Sequence, residues 1–257
     1  MTSKRQGSRF AGPAIVTGAG QGLGRAFAKA LAAERVPVAV ADLDAGSAER
    51  VAAEITTQGG RAIGLGIDVS DQASTESMAA AVREQLGPPA ILVNNAAIFS
   101  TLAMRAFTEI PLEEWTRVLN VNVTGAFLCA RAVIPAMAEQ GRGKIVNLSS
   151  TTVFLGRPNY LHYVTSKAAV IGMTRALASE VGPLGVTVNA IAPGSTETEV
   201  ERATITRADR ERLAATSALK RVQVPDDLLG ALLFFASADS DFVTGQTLIV
   251  DGGISFN

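Results

Sequence analysis

The chain has 257 residues, 47% of them hydrophobic, with 23 basic against 24 acidic side chains and a net charge of −1. That length and apolar share suffice for one large core near the upper end of single-domain size, and the near-neutral balance leaves no electrostatic footprint for nucleic acid. One histidine and one cysteine cannot make a zinc site of the usual composition, so no metal is expected, and the lone Cys129 excludes an intramolecular disulfide.

Residues 1–9 are polar and basic without the apolar stretch of a secretory signal, and read as a loose tail before a domain spanning 10–257. The first predicted strand, 14–17, is apolar and rich in β-branched residues. It runs through Thr17-Gly-Ala-Gly-Gln-Gly-Leu-Gly24 into a helical stretch at 25–34. Gly18, Gly22 and Gly24 remove side chains where a backbone must turn tightly and approach a ligand, and the N–H groups of the helix start suit a pyrophosphate. Leu23 stands where the ordinary Gly-x-Gly-x-x-Gly fingerprint has its third glycine. A strand at 36–42 ends on Asp42, and Asp44 is the better cap for a helix at 45–58.

Further along, a strand at 62–67 precedes Asp68-Val69 and a helix at 74–86, and a strand at 90–94 ends on Asn94. One long helix is predicted over 111–140, with a kink at Pro135 and Cys129 packing as a small hydrophobe. A strand at 144–148, a helix at 163–181, a strand at 186–192 and a last strand at 247–250 complete the pattern. Strands alternating with helices imply an α/β fold with one doubly wound parallel sheet covered on both faces. The apolar runs are short and broken by charge or glycine, so no membrane span is expected. Gly18, Asp42, Asp68, Asn94, Ser150 and Pro193 fall at or just after strand ends, where such a sheet collects its ligands.

Tyr163 and Lys167 are four residues apart, which puts them on one helix face. A free phenol ionises near pH ~10, and a neighbouring cation favours the phenolate, so the pair can shuttle protons. Ser150, thirteen residues before the tyrosine, can place a hydroxyl beside the same substrate oxygen. His162 points about a hundred degrees away from Tyr163 on a helix and reads as a packing or pocket-wall residue. Asp42 at a strand end can accept from both ribose hydroxyls of an adenosine and would repel a 2′-phosphate, which favours NAD over NADP.

Together these motifs, with Asp68-Val69, Asn94-Asn-Ala-Ala97, Val121-Asn-Val-Thr-Gly125, Ser149-Ser150, Pro193-Gly194 and Asp251-Gly-Gly253 in order, resemble the short-chain dehydrogenase/reductase family from about residue 13 to 253. The resemblance implies a Rossmann fold and hydride exchange between a nicotinamide and a carbinol carbon. It assigns proton transfer to Tyr163, substrate-oxygen stabilisation to Ser150, support of Tyr163 and the ribose to Lys167, and a water relay to Asn122. Gly18, Gln21, Gly22, Leu23 and Gly24 would form the dinucleotide turn. Asp68 and Val69 would hold the adenine, and Asn94 and Ala96 the ribose. Pro193, Gly194, Thr196 and Thr198 would face the nicotinamide, with Thr198 at the carboxamide. Relatives that use NADP carry a basic residue where this chain has Gln21 or Leu43. Ala97 departs from the family's glycine by one methyl group.

A substrate wall is expected from 98–102, 151–155, Leu161 and the segment after Gly194. Its apolar character favours a secondary alcohol or ketone with an apolar or aryl substituent, and the chain is weakly similar to 1-phenylethanol-type dehydrogenases. The alternatives are a 3-oxoacyl carrier-protein or CoA reductase and a non-catalytic NAD-binding regulator. The resemblance also implies a cytoplasmic homotetramer with no nucleic-acid or membrane partner. Small residues on the helices at 111–140 and 163–181, among them Ala126, Ala130, Ala132, Ala169, Gly172, Ala176 and Ala178, would allow close contact across a twofold axis.

Overall fold

A computed structural model describes residues 9–202 and 204–256. Seven strands form one parallel sheet in the order β3-β2-β1-β4-β5-β6-β7. They are β1 (Ala14–Thr17), β2 (Val38–Asp42), β3 (Ala62–Gly66), β4 (Ile91–Asn94), β5 (Gly143–Leu148), β6 (Val186–Pro193) and β7 (Thr247–Val250). All seven stand where the apolar runs predict them, within two residues at either end. The central strands are buried along their whole length, as expected when helices cover both faces. Strand order reverses between β1 and β4, and this opens a crevice at the carboxyl ends of those strands. The architecture is the single-domain Rossmann fold.

Nine α-helices wind around the sheet among the described residues: α1 (Gly22–Ala33), α2 (Ala45–Thr57), α3 (Gln72–Gln85), α4 (Leu112–Leu119), α5 (Gly125–Glu139), α6 (Thr152–Leu155), α7 (Leu161–Val181), α8 (Arg207–Thr216) and α9 (Asp226–Ala236). Asp44 caps α2 by accepting from the Ser47 N–H at 3.2 Å, as the sequence indicates. Two core clusters lie on the two faces of the sheet. Phe27, Leu31, Ile55, Leu228 and Phe235 fill one, and Met78, Val82, Cys129, Val133 and Met137 fill the other.

Two expectations need correction, and so does the stated ground of a third. The single helix over 111–140 is interrupted at Asn120–Thr124 by a π-helical turn, a widening that recurs at functional sites. Arg9, assigned to the tail, is pinned: its guanidinium pairs with Glu34 at 3.1 Å and Asp239 at 3.4 Å, and the adjacent Phe10 is buried in the core. Residues 1–8 of the expected tail lie outside the described residues. Finally, the ground for expecting no span is too broad, because a stretch within 112–139 is long and apolar enough to cross a membrane by length and composition. Half of that stretch is buried inside the protein, as in a core helix, so a single such stretch is weak ground for a span.

Candidate active site

The glycine turn is built by packing on both sides of β1. Thr17 donates to the Val93 carbonyl and accepts from the N–H groups of Asn95 and Ala96, fastening the ends of β1 and β4 together. Asn95 donates to the carbonyls of Thr17 and Gly18, both at 2.9 Å. Gly18 and Gly22 adopt left-handed backbone angles, φ +61° and +59°, which favour glycine. Gly24 is ordinary helix, and its reason is different. A Cβ there would lie 2.1 Å from the Gly18 carbonyl oxygen, so its bare backbone lets α1 seat against the turn. Asp42 closes the turn from β2, accepting the Gly20 N–H at 2.8 Å.

A cleft of about 280 Å³ follows this turn, and Gly18, Gln21, Gly22, Leu23, Asp42, Asp68, Val69, Ala96 and Thr198 all line it. Asn94 does not. Its side chain turns inward and donates to Asn147 at 2.9 Å and the Ala126 carbonyl at 3.2 Å; its neighbour Asn95 faces the cleft instead. Strand alternation explains the swap, since successive side chains leave opposite faces.

Leu23, Asn95, Ala97, Phe99 and Arg202 border both this cleft and a second cavity of about 660 Å³. The larger cavity brings together Ser150, Tyr163 and Lys167 with Pro193, Gly194 and Thr196. Ser150 accepts from the N–H and hydroxyl of Thr152 at 3.2 and 3.0 Å. Ser149 is spent on the backbone of α7, donating to the Lys167 carbonyl at 2.9 Å, which leaves Ser150 as the serine available to a ligand. Thr196 is buried and bonds to the Gly194 carbonyl and Gln223. Of the expected wall, Phe99, Thr151, Thr152 and Leu155 line the cavity. Ile98 borders the cleft, Leu102 sits in a small buried cluster, and Leu161 is exposed.

Tyr163 and Lys167 do share a face, with the ammonium 5.7 Å from the ring centroid. The expected depression of the phenol is not found. Burial pushes Tyr163 upward, opposed by hydrogen bonding with Ser150 and by the guanidinium charges of Arg202 and Arg157. Lys167 gives its bond to the Leu148 carbonyl at the end of β5, 2.8 Å away, and its own burial pulls it down to about 8 from 10.5. Between pH 8 and 10.5 the unfolded chain holds a proton here that the folded chain has lost, so stability from this group rises with pH. The buried Cys129 thiol, raised to about 12, opposes this rise but is common to wild type and Lys167→Met, so in dinucleotide-free protein the melting temperature of wild type should gain on that of the variant between pH 8 and 9.5; a constant difference refutes the assignment.

Asn122 is buried in the π-helical turn. It accepts the Ile98 N–H at 2.8 Å and donates to the Ile98 carbonyl and to Ser166 on α7. It therefore ties the loop after β4 to the helix that carries Tyr163. His162 is fully buried, accepts the Tyr163 N–H on Nδ1 at 2.9 Å and faces Glu114 through Nε2 at 3.3 Å, a packing role as expected. Cys129 is buried and its thiol is pushed up to about 12 by burial, which excludes a thiolate nucleophile near neutral pH. Among the described residues no cluster of metal-ligating side chains occurs.

Sequence reasoning passed over several residues here. Tyr160 stacks on Tyr163 at 4.8 Å and donates to the Phe99 carbonyl at 2.6 Å. Arg202 and Arg157 line the larger cavity. Glu199 accepts the Gly22 N–H at 3.0 Å and lies 3.7 Å from Arg25, so a carboxylate of the chain already occupies the helix start. This is a direct check on fit: the donors that a pyrophosphate needs are present and are aimed at an anion. The open Gly18 and Gly22 backbone, the Asp42 carboxylate and the cleft between them fit a dinucleotide.

A family model described as enoyl-(acyl carrier protein) reductase matches residues 18–255. The chain is 41% identical to short-chain reductase protein NovJ of Streptomyces niveus, over 93% of this chain and 92% of that protein. It is 37% identical to (2S)-[(R)-hydroxy(phenyl)methyl]succinyl-CoA dehydrogenase subunit BbsD of Thauera aromatica, over 94% and 96% of the two chains. The crystal structure of a "putative short-chain alcohol dehydrogenase" from Sinorhizobium meliloti 1021 superposes with a TM-score of 0.89 at 34% identity, covering 95% of this chain and 96% of the other.

Proposed function

Because the chain belongs to the short-chain dehydrogenase/reductase family of oxidoreductases, we propose that it is an NAD-dependent dehydrogenase of secondary alcohols, or reductase of the corresponding ketones, with an apolar or aryl substituent on the reacting carbon. The observation that carries this reading is the meeting of Ser150 and Tyr163 in a largely apolar cavity bordered by the same residues as the dinucleotide cleft. The hydroxy(phenyl)methyl group in the name of the Thauera relative supports an aryl carbinol.

A bound nicotinamide supplies or accepts the hydride; the proton work falls to the chain. In the oxidative direction Tyr163 takes the alcohol proton and returns it in the reductive direction. Ser150 donates a hydrogen bond to the same oxygen and stabilises its developing charge. Lys167, buried beside the tyrosine ring, keeps a cation near the phenol and would hold the nicotinamide ribose. Asn122 positions α7 through Ser166. Thr198 would meet the carboxamide, with Pro193, Gly194 and Thr196 forming the wall behind it. Asp68 and Val69 would hold the adenine, and Ala96 the ribose.

Oxidation of 1-phenylethanol, cyclohexanol, a 3-hydroxyacyl thioester and a polyol, each with NAD and NADP, tests the reading. Turnover of the thioester alone would favour a 3-oxoacyl reductase, and dinucleotide binding without turnover would favour a regulator. Asp42 supports NAD, since its carboxylate sits in the cleft and Leu43, where a 2′-phosphate would want a cation, is exposed. Tighter binding of NADPH than NADH overturns that choice. Glu199→Gln should tighten NADH roughly twofold to fivefold, the gain expected when a carboxylate no longer competes for a helix start. An unchanged or weaker affinity in a fluorescence titration argues against competition.

The form proposed is a cytoplasmic homotetramer. Ala126, Ala130 and Ala178 are buried within the protomer and cannot serve an interface, whereas Gly172 and Ala176 on α7 and Phe127 on α5 remain exposed. Light scattering at micromolar concentration checks it: a mass near 26.6 kDa, one chain, rules it out.

A further inference from the structure

The larger cavity carries an excess of positive charge near the reacting tyrosine. Arg202, in the segment after β6, lies with its guanidinium 4.6 Å over the Phe99 ring, and Phe99 in turn lies 6.5 Å from the Tyr163 ring. Its terminal nitrogen reaches the Thr196 carbonyl at 3.3 Å, while its Nε is buried without a partner. Among the described residues no carboxylate lies within ion-pair distance of it. Three other arginines of this region are paired with carboxylates. Arg212 is paired with Asp209, Arg210 with Glu197, and Arg105 with Glu114. The Arg157 guanidinium, which lines the same cavity, contacts the Met104 sulfur at 3.5 Å. Burying a guanidinium without an anion is costly, and here burial lowers its pKa. A planar fork with free donors is the side chain best suited to a carboxylate.

We infer that Arg202 is the carboxylate-binding residue of the substrate site, so that the substrate is a hydroxy or oxo acid whose carboxylate meets Arg202 while its reacting carbon meets the Ser150–Tyr163 pair. The inference rests on the dehydrogenase reading of this cavity and narrows its substrate class. Leu155, Ile205 and Leu213 supply the apolar wall for the body of such a molecule, and Arg157 adds positive potential to the same cavity.

The test uses NADH-saturated full-length protein and two aryl oxo acids of different reach, phenylglyoxylate and 4-oxo-4-phenylbutanoate, each paired with its methyl ester. Binding is followed by calorimetry and turnover is measured separately. At least one acid should bind roughly tenfold to a hundredfold tighter than its ester, the span expected for a hydrogen-bonded charge. Arg202→Met should bring that acid-to-ester ratio close to one, and Arg202→Lys should restore part of it. Esters that bind as tightly as both acids, or a ratio that survives Arg202→Met in a variant with wild-type melting, overturn the inference. Turnover separates the two levels. Acid preference without turnover leaves the Arg202 assignment standing and removes the dehydrogenase reading, whereas equal turnover of acid and ester does the reverse.

Discussion

Tyr163→Phe should reduce turnover by ~10²–10⁴, the range that one positioned acid–base group contributes, while leaving the fold and NADH binding in place. The ring is retained, so the 4.8 Å stack on Tyr160 and the 6.5 Å contact with Phe99 survive. Only the hydroxyl is lost, and with it the group that hydrogen bonds with Ser150. Such a loss corresponds to about 3–5 kcal/mol of barrier. Few other groups in the cavity could substitute. Lys167 is committed to the Leu148 carbonyl, Tyr160 to the Phe99 carbonyl, and His162 is buried against Glu114 and the α7 backbone. Steady-state rates and an NADH titration on the same preparation check both halves. Retention of more than a tenth of wild-type turnover would show that the proton travels by another route.

The raised phenol bears on how this tyrosine becomes a base. Spacing in the sequence correctly puts Lys167 beside Tyr163, because residues four apart on a helix must be neighbours. It cannot say where the ammonium points, and the carbonyl at the end of β5 captures it. The positive charges that do favour the phenolate come from Arg202 and Arg157, distant in sequence and brought near by the segments after β6 and α6. Residues whose role depends on how a long irregular segment folds were not legible. Glu199 and Arg202 carry no local pattern, and only the placement of 194–202 along the crevice gives them meaning. The seven strands were legible because buried parallel strands are continuous apolar runs. The π-helical turn at Asn120–Thr124 was not, since its residues keep the helical apolar pattern on both sides. The motif does not tell which way the Asn94 side chain turns, and the side-chain alternation at the end of β4 sends Asn94 inward and Asn95 toward the cleft.

Gly24→Ala should destabilise the protein severely for so small a change. The new methyl group would sit 2.1 Å from the Gly18 carbonyl oxygen, 2.6 Å from Asn95 Nδ2 and 2.8 Å from the Ala19 Cα. Two of these are backbone atoms of the turn itself and cannot swing aside as a flexible side chain could. Relief requires α1 to lift from β1, which also strains the bonds from Asn95 to Thr17 and Gly18. Overpacking of this kind costs ~1–3 kcal/mol and occasionally more; at about 2–4 °C per kcal/mol for a chain of this size, the melting temperature should fall by roughly 2–12 °C. NADH affinity should fall with it, because Gly18 and Gly22 shape the cleft. Gly230→Ala on α9 is the matched control. A Cβ there meets nothing within 4 Å, and removing a mid-helix glycine should stabilise by roughly 0.5–1 kcal/mol. Opposite shifts for the two glycines would separate close packing from helix propensity. A Gly24→Ala protein that melts within a degree of wild type and binds NADH equally well would mean that α1 does not press on the turn as closely as these distances require.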